Sequence, residues 1–242
     1  MKKMQLVRAV SQLVFFILIS IGLHETVHPA LFFLFPLAFV AGNFFCGWVC
    51  PFGAAQEYLG RAGSIFIKKK LTLPRHLQRY AQYLRYTLLL ILLSLIGLGI
   101  MSAETLETMP LNAYRSFTGF FDGYRLGALS LVFLVFLLLL SLVSDRPFCN
   151  YLCFEAIEYA LPSWTRLLTI KRKPCTCVRC GLCDKACPMH IQVSQTEEVL
   201  NLQCINCFKC LSSCPVEDTL SYGKADRRIE RIKSAAARLR KR

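Results

Sequence analysis

The chain has 242 residues, of which 55% are hydrophobic and 18% charged, and its 29 Lys and Arg against 15 Asp and Glu give a formal net charge of +14. So large and so clustered an apolar share excludes an ordinary water-soluble domain. Thirteen cysteines, an odd number with nine of them crowded between Cys175 and Cys214, do not fit a secreted disulfide scaffold and point to free thiols in a reducing compartment.

In chain order, Lys2 and Lys3 precede an apolar stretch from Leu6 to Leu23. No small-x-small cleavage site follows Gly22, so this stretch is expected to be a retained anchor rather than a signal peptide. Three more stretches have the length and apolarity a bilayer requires. They run from Pro29 to Val49, with Pro36 as an expected kink, from about Tyr83 to Met101, and from Leu126 to Val143. Arg85, near the end of the third, is expected to snorkel. Lys and Arg gather before the first stretch, between the second and third, and after the fourth. The segment from Ser102 to Arg125 has only Arg115 and Arg125, set against Glu104, Glu107 and Asp122. This bias places both termini in the cytoplasm and that segment outside, giving a multi-pass protein of the inner (cytoplasmic) membrane.

His24 to His28, HETVH, matches the zinc-protease pattern. Pro29 disfavours helix at His28, and His76 and His190 fall on the other side, so the stretch is read as polar loop residues at a lipid interface. Its alternative role is to accept protons from a quinol.

FCGWVCPFG carries Cys46 and Cys50 at the inner end of the second stretch, and RPFCNYLCF carries Cys149 and Cys153 just past the fourth. C-x3-C spacing on a helical turn sets both sulfurs on one face. Both pairs fall at the same expected depth, where four thiols suffice for a further cluster, a Cu(I) or Zn ion, or a redox dithiol. Compact buried apolar side chains are the simpler alternative for them. Trp48, Tyr80, Tyr83 and Tyr86 read as interfacial belt residues, with a quinone pocket using Gln56 or Glu57 as the alternative. Arg146 is expected to pair locally with Asp145.

Cys177, Cys180, Cys183 and Cys187 precede Pro188, and Cys204, Cys207, Cys210 and Cys214 precede Pro215. Both runs are C-x2-C-x2-C-x3-C-P, the bacterial ferredoxin pattern, in which the fourth cysteine ligates the other cluster. Cys177, Cys180, Cys183 and Cys214 are therefore expected to hold one [4Fe–4S] cluster, and Cys204, Cys207, Cys210 and Cys187 a second. Two complete cassettes make paired zinc sites a poor reading. Ser194 to Glu197 reads as a capping box opening a short helix. Arg179, Lys185 and Lys209 stand near the clusters and are read as solvated surface, with tuning of the potentials as the alternative. Cys175 is a spare thiol. From Lys224 to Arg242 the chain is basic, with Ile229, Ile232, Ala236 and Leu239 on one helical face, and is expected to lie on anionic lipid rather than on nucleic acid.

The paired motifs FCGWVCPFGAAQE and RPFCNYLC, on a four-span frame followed by two ferredoxin cassettes, resemble the NapH-type membrane ferredoxins. These are quinol-oxidising membrane subunits associated with periplasmic nitrate reductase. Related proteins regulate nitrous oxide respiration or assemble copper oxidases. The resemblance implies quinol as substrate, a subunit of a larger oxidoreductase, and a membrane-edge role for Cys46, Cys50, Cys149 and Cys153. The second pair departs from the family's C-x3-C-P pattern, since Phe154 stands where Pro51 follows the first.

The expected architecture is a membrane all-α protein of four transmembrane helices over 1–173, a small α+β 2[4Fe–4S] ferredoxin domain over 174–223, and a basic tail over 224–242. Its expected task is electron exchange between the quinol pool and a partner redox protein. The rival is a redox-sensing or copper-assembly protein built on the C-x3-C pairs.

Overall fold

A computed structural model describes residues 2–21, 34–67, 70–71, 74–100, 102, 112–121, 123, 127–153 and 155–226. The HETVH stretch, most of the segment between 102 and 125, and the tail beyond Asp226 lie outside the described residues. The structure is mostly helical. Helix α1 (Lys2–Ser20) is followed by helical residues 34–41 and a π-helical turn, Phe45–Val49. Next come α2 (Pro51–Phe66), α3 (Arg75–Gly97), α4 (Ala113–Phe121), α5 (Ala128–Val143), α6 (Pro147–Tyr151) and α7 (Glu155–Ala160).

A small module closes the described chain. Strand β1 (Leu168–Arg172) pairs antiparallel with β2 (Leu220–Lys224), Ile170 facing Tyr222. Between them lie the short helices α8 (Leu182–Lys185) and α9 (Lys209–Ser213). The strand pair thus begins upstream of residue 174 and ends just inside the expected tail. Ser194 opens no helix. Residues Val193–Gln195 form a single 3-10 turn, and Ser194 bonds Asp184 through both its backbone N–H and its hydroxyl. Asp184, one residue after Cys183, outcompetes the local cap.

Of the four expected spans, two appear as helices long and apolar enough to cross a membrane by length and composition, over Lys3–Ser20 and Tyr80–Gly97. The fourth is an apolar helix too short for that test, Ala128–Val143. The second is helical over 34–41 within the described residues and then gives way to the π-turn. The expected outer segment contains α4, which packs into the core. Phe117 meets Phe52 of α2 at 5.3 Å and Phe16 of α1 at 6.2 Å.

The polarity of the helices is inverted. On α1, Arg8 and Gln12 are buried while Leu6, Val7, Val10, Leu13 and Ile17 are exposed. On α3, Arg85 is 2% exposed while Leu84, Leu90, Ile91 and Leu93 lie on the surface. Arg85 therefore does not snorkel. It donates to the carbonyls of Cys149 (3.5 Å) and Asn150 (3.1 Å). Water would penalise so much exposed apolar surface, whereas hydrocarbon penalises outward charge, and ionisable groups then turn inward.

The most extensive helix pairing is α2 on α5. Small residues allow it: a Cβ at Gly63 would stand 1.9 Å from the carbonyl oxygen of Leu142. Alanine normally favours a helix over glycine by about 1 kcal/mol, but here overpacking, at about 1–3 kcal/mol, outweighs that gain. Gly63→Ala is expected to lower the thermal midpoint of the detergent-solubilised protein, whereas Gly97→Ala, with open space around it, is not.

Candidate metal-cluster sites

The two cassettes share one backbone course. Arg179 and Asn206, each just before the second cysteine of its run, are left-handed, as are Gly181 and Phe208 just after it. A short helix then carries the third cysteine, Cys183 on α8 and Cys210 on α9. Left-handed residues among turns point successive N–H groups to one side and make a concavity suited to anions, iron–sulfur centres included.

Each concavity opens on a cavity. One is lined by Cys177, Cys180, Cys183 and Cys214 together with Arg172, Arg179 and Thr219. The other is lined by Cys187, Cys204, Cys207 and Cys210 together with Ile170, Met189, Val193, Val199, Ile205 and Phe208. In each, three cysteines come from one run and the fourth from the other. Four thiols around one space fit a cubane, which offers each thiolate a different iron. Among the described residues, no three His, Cys, Asp or Glu form a group that could hold a single metal ion.

The cavities differ in surroundings. Cys180, Val178 and Arg179 of the first are exposed, whereas the walls of the second are buried apart from the half-buried Cys187. At this outer site the backbone N–H of Arg179 and then Arg172 lower the pKa of the Cys177 thiol. At the inner site burial pushes Cys187, Cys204 and Cys210 upward. Thiolates persist there only against a strongly positive centre such as iron. Cys175 is exposed.

Cys46, Cys50, Cys149 and Cys153 are all buried, and in each of the six pairings among them the two thiols interact electrostatically. The four thus share one chamber. The C-x3-C spacing does not achieve this on regular α-turns. Cys46 lies in the π-turn, and Cys50 caps α2 with extended backbone, its sulfur accepting from the Gly53 N–H at 3.3 Å. Cys149 lies on α6 and Cys153 just beyond it. Aromatic packing floors the chamber: Phe45 stacks on Tyr159 at 4.5 Å, and Phe52 meets Phe148 at 5.4 Å. Gln56 is fully buried and donates toward the Cys149 sulfur at 3.5 Å.

The chamber abuts the inner cavity through both of its motifs. A Cβ at Gly47 would stand 2.2 Å from the carbonyl oxygen of Ile205. Trp48 donates its indole N–H to the Asn206 carbonyl at 3.0 Å, so it is an interdomain strut rather than a belt residue. Asn150 donates to the carbonyl of Pro188, next to Cys187, at 3.0 Å. Gln5 of α1 donates to the Cys207 carbonyl at 2.9 Å.

A buried charge network joins these parts. Glu57 accepts from Arg8, from Arg146 at 2.6 Å, from Arg61 at 2.9 Å and from Lys209 at 3.0 Å. Burial alone would raise its pKa, but Arg146, Lys209 and Arg8 overcome this and hold the carboxyl far below the usual range. The ion pairs favour its charged form. Asp145 pairs with Lys70 rather than with Arg146, which sits in a left-handed conformation and donates to the Cys46 carbonyl at 2.8 Å. Lys209 is partly shielded and paired, not solvated, while Arg179 and Lys185 are exposed.

Gly47→Ala is expected to lift the second cassette off the π-turn. Hydrogen exchange at Ile205 to Phe208 should quicken while the α2–α5 contact keeps its protection.

A family described as "4Fe-4S binding domain" matches residues 29–74 and 126–154, and one described as "4Fe-4S dicluster domain" matches 169–215. The chain is 30% identical over 181 residues to YccM of Escherichia coli (strain K12), named for a proposed role in electron transport. That alignment takes in 74% of this chain and 50% of the relative, so the chain spans about half of YccM's length. It is 26% identical to uncharacterized protein MJ0749 of Methanocaldococcus jannaschii, over 88% of this chain and 85% of that one. It is 31% identical to MJ0750 of the same organism, over 93% and 98%. No solved structure matches the chain. With likeness to MJ0750 along nearly the whole of both proteins and 4Fe-4S families matched over both halves, the chain belongs to a family of iron–sulfur proteins with ferredoxin-type 4Fe-4S domains.

Proposed function

We propose that this protein is a membrane-bound electron carrier that passes electrons between the quinol pool and a partner oxidoreductase through two [4Fe–4S] clusters. Cys177, Cys180, Cys183 and Cys214 hold the outer cluster, and Cys187, Cys204, Cys207 and Cys210 the inner one. Each cluster, when bound, takes up and releases a single electron, which divides the pair that quinol gives. The observation that carries the reading is the contact of both C-x3-C motifs with backbone beside the inner cavity, Gly47 with Ile205 of the second run and Asn150 with Pro188, next to Cys187 of the first. It joins the edge chamber to the shielded inner cavity, whose Cys187 comes from the run that lines the outer cavity with its exposed rim.

The inverted polarity of α1 and α3 and the two helices of membrane length support a place in the bilayer. The bias of Lys and Arg favours a multi-pass topology with the ferredoxin module in the cytoplasm. The match of a 4Fe-4S binding family to 29–74 and 126–154 supports a redox role for the edge chamber, and the name of YccM supports electron transport. The NapH-type resemblance supplies quinol as the lipid-side reactant. Exposed Cys180, Val178 and Arg179 offer a soluble partner its approach to the outer cluster.

Two experiments test this. In anaerobically purified protein, Cys187→Ala should abolish the EPR signal of the inner cluster, although this residue belongs to the first run, and Cys214→Ala that of the outer; loss in the opposite sense would refute the crossed ligation. Cys46→Ser and Cys149→Ser should each stop quinol from bleaching the clusters while leaving both assembled. Normal bleaching in both variants would take the chamber out of the path.

A further inference from the structure

We infer that Glu57, Arg146 and Lys209 are positioning residues that set the reduction potential of the inner cluster relative to the outer one. The inference rests on the two-cluster reading above and goes beyond it by assigning a redox role to residues that bind neither iron nor sulfur.

The observation is an imbalance of buried charge. One carboxylate, Glu57, meets four cations drawn from α1, α2, the turn before α6, and α9. Arg61 is 48% exposed, and water screens it. Arg8 and Arg146 are buried, and Lys209 is 22% exposed. More positive charge is therefore buried than Glu57 neutralises. Arg146 gives one Nη to Glu57 and the other to the Cys46 carbonyl, and its Nε has no hydrogen-bond partner.

An excess of buried cation requires an anion nearby. Within reach are cysteine sulfurs, which a bound cluster would hold as thiolates: Arg146 interacts electrostatically with Cys149 of the edge chamber and Cys207 of the inner cavity, and Lys209 with Cys207. Of the inner cysteines Cys207 is the one these two cations reach, while the outer Cys177 meets a different pair, Arg172 and Arg179, at the exposed rim. Positive charge beside one cluster stabilises the added electron there and raises its potential. Glu57 moderates that effect. It also fixes the geometry, because Arg146 and Lys209 approach it from opposite parts of the fold.

The test is a redox titration followed by EPR on the full-length, detergent-solubilised protein, with the inner and outer signals assigned by Cys187→Ala and Cys214→Ala. Glu57→Gln should move the inner potential upward, Lys209→Gln should move it downward, and Lys209→Arg should restore it. The outer potential and the iron content should match wild type in all three. A merely structural hub would not give shifts of opposite sign confined to one cluster. If Glu57→Gln loses its iron, Lys209→Gln and its rescue by Arg decide the matter. Unmoved potentials, equal shifts at both clusters, or iron loss from both Gln variants would overturn this inference while the two-cluster reading stood. Wild-type protein without two clusters would overturn both.

Discussion

A carboxylate out of water is tolerated only when cations and hydrogen bonds replace its hydration. Glu57 meets that requirement with residues from four separated segments, and the arrangement of the fold follows from it. Arg8 has to face inward, which turns the apolar side of α1 out. Arg146 has to leave its neighbour Asp145, which forces the left-handed turn before α6 and brings Cys149 to the level of Cys46. Lys209 has to approach from the ferredoxin module, which presses the second cassette onto the π-turn at Gly47. Removing one partner of such a buried pair costs about 3–5 kcal/mol, so the hub holds the two halves of the chain in a fixed relation.

That relation orders the cysteines by depth. The edge chamber is enclosed by aromatic rings, the inner cavity by aliphatic side chains, and the outer cavity opens toward the surface. A centre in a shielded, apolar cavity and one at an exposed rim that carries Arg172 and Arg179 feel different dielectric environments, and reduction potentials respond to both charge and solvent exposure. The sequence of sites and the difference in their surroundings thus have a common origin in the way the module docks.

Much of the site was legible because cysteine spacing encodes it directly. Left-handed positions flanking the second cysteine and a short helix under the third are local consequences of C-x2-C-x2-C, and the crossed cavities follow. Cys46, Cys50, Cys149 and Cys153 are expected at one depth from the sequence, and all four are buried, but the π-turn and the extended cap at Cys50 have no signal in the spacing. Residues whose partners are distant in sequence were misjudged. Arg85 near a span end reads as a snorkelling residue, because nothing local reveals the carbonyls of Cys149 and Asn150. Asp145 beside Arg146 reads as a pair, because Lys70 and Glu57 are invisible to a local window. Glu57 itself looks like an ordinary helical acid. The capping box at Ser194 failed because Asp184, ten residues upstream, is a stronger partner. Helix α4 was missed since its segment was assigned by charge alone, and its phenylalanines face Phe16 and Phe52 across the bundle.

The crossed cysteines and the hub also impose an order on biogenesis. As the chain leaves the ribosome, Glu57 can meet Arg8 and Arg61 early and Arg146 somewhat later, but Lys209 is made far later, between two cysteines of the last cassette. The inner cavity likewise stays incomplete until Cys210 emerges, and the outer one until Cys214 does. The lysine that latches the two halves together is thus delivered among the last thiols, so a nascent chain can close the hub only once all but Cys210 and Cys214 of the cassette cysteines have been made.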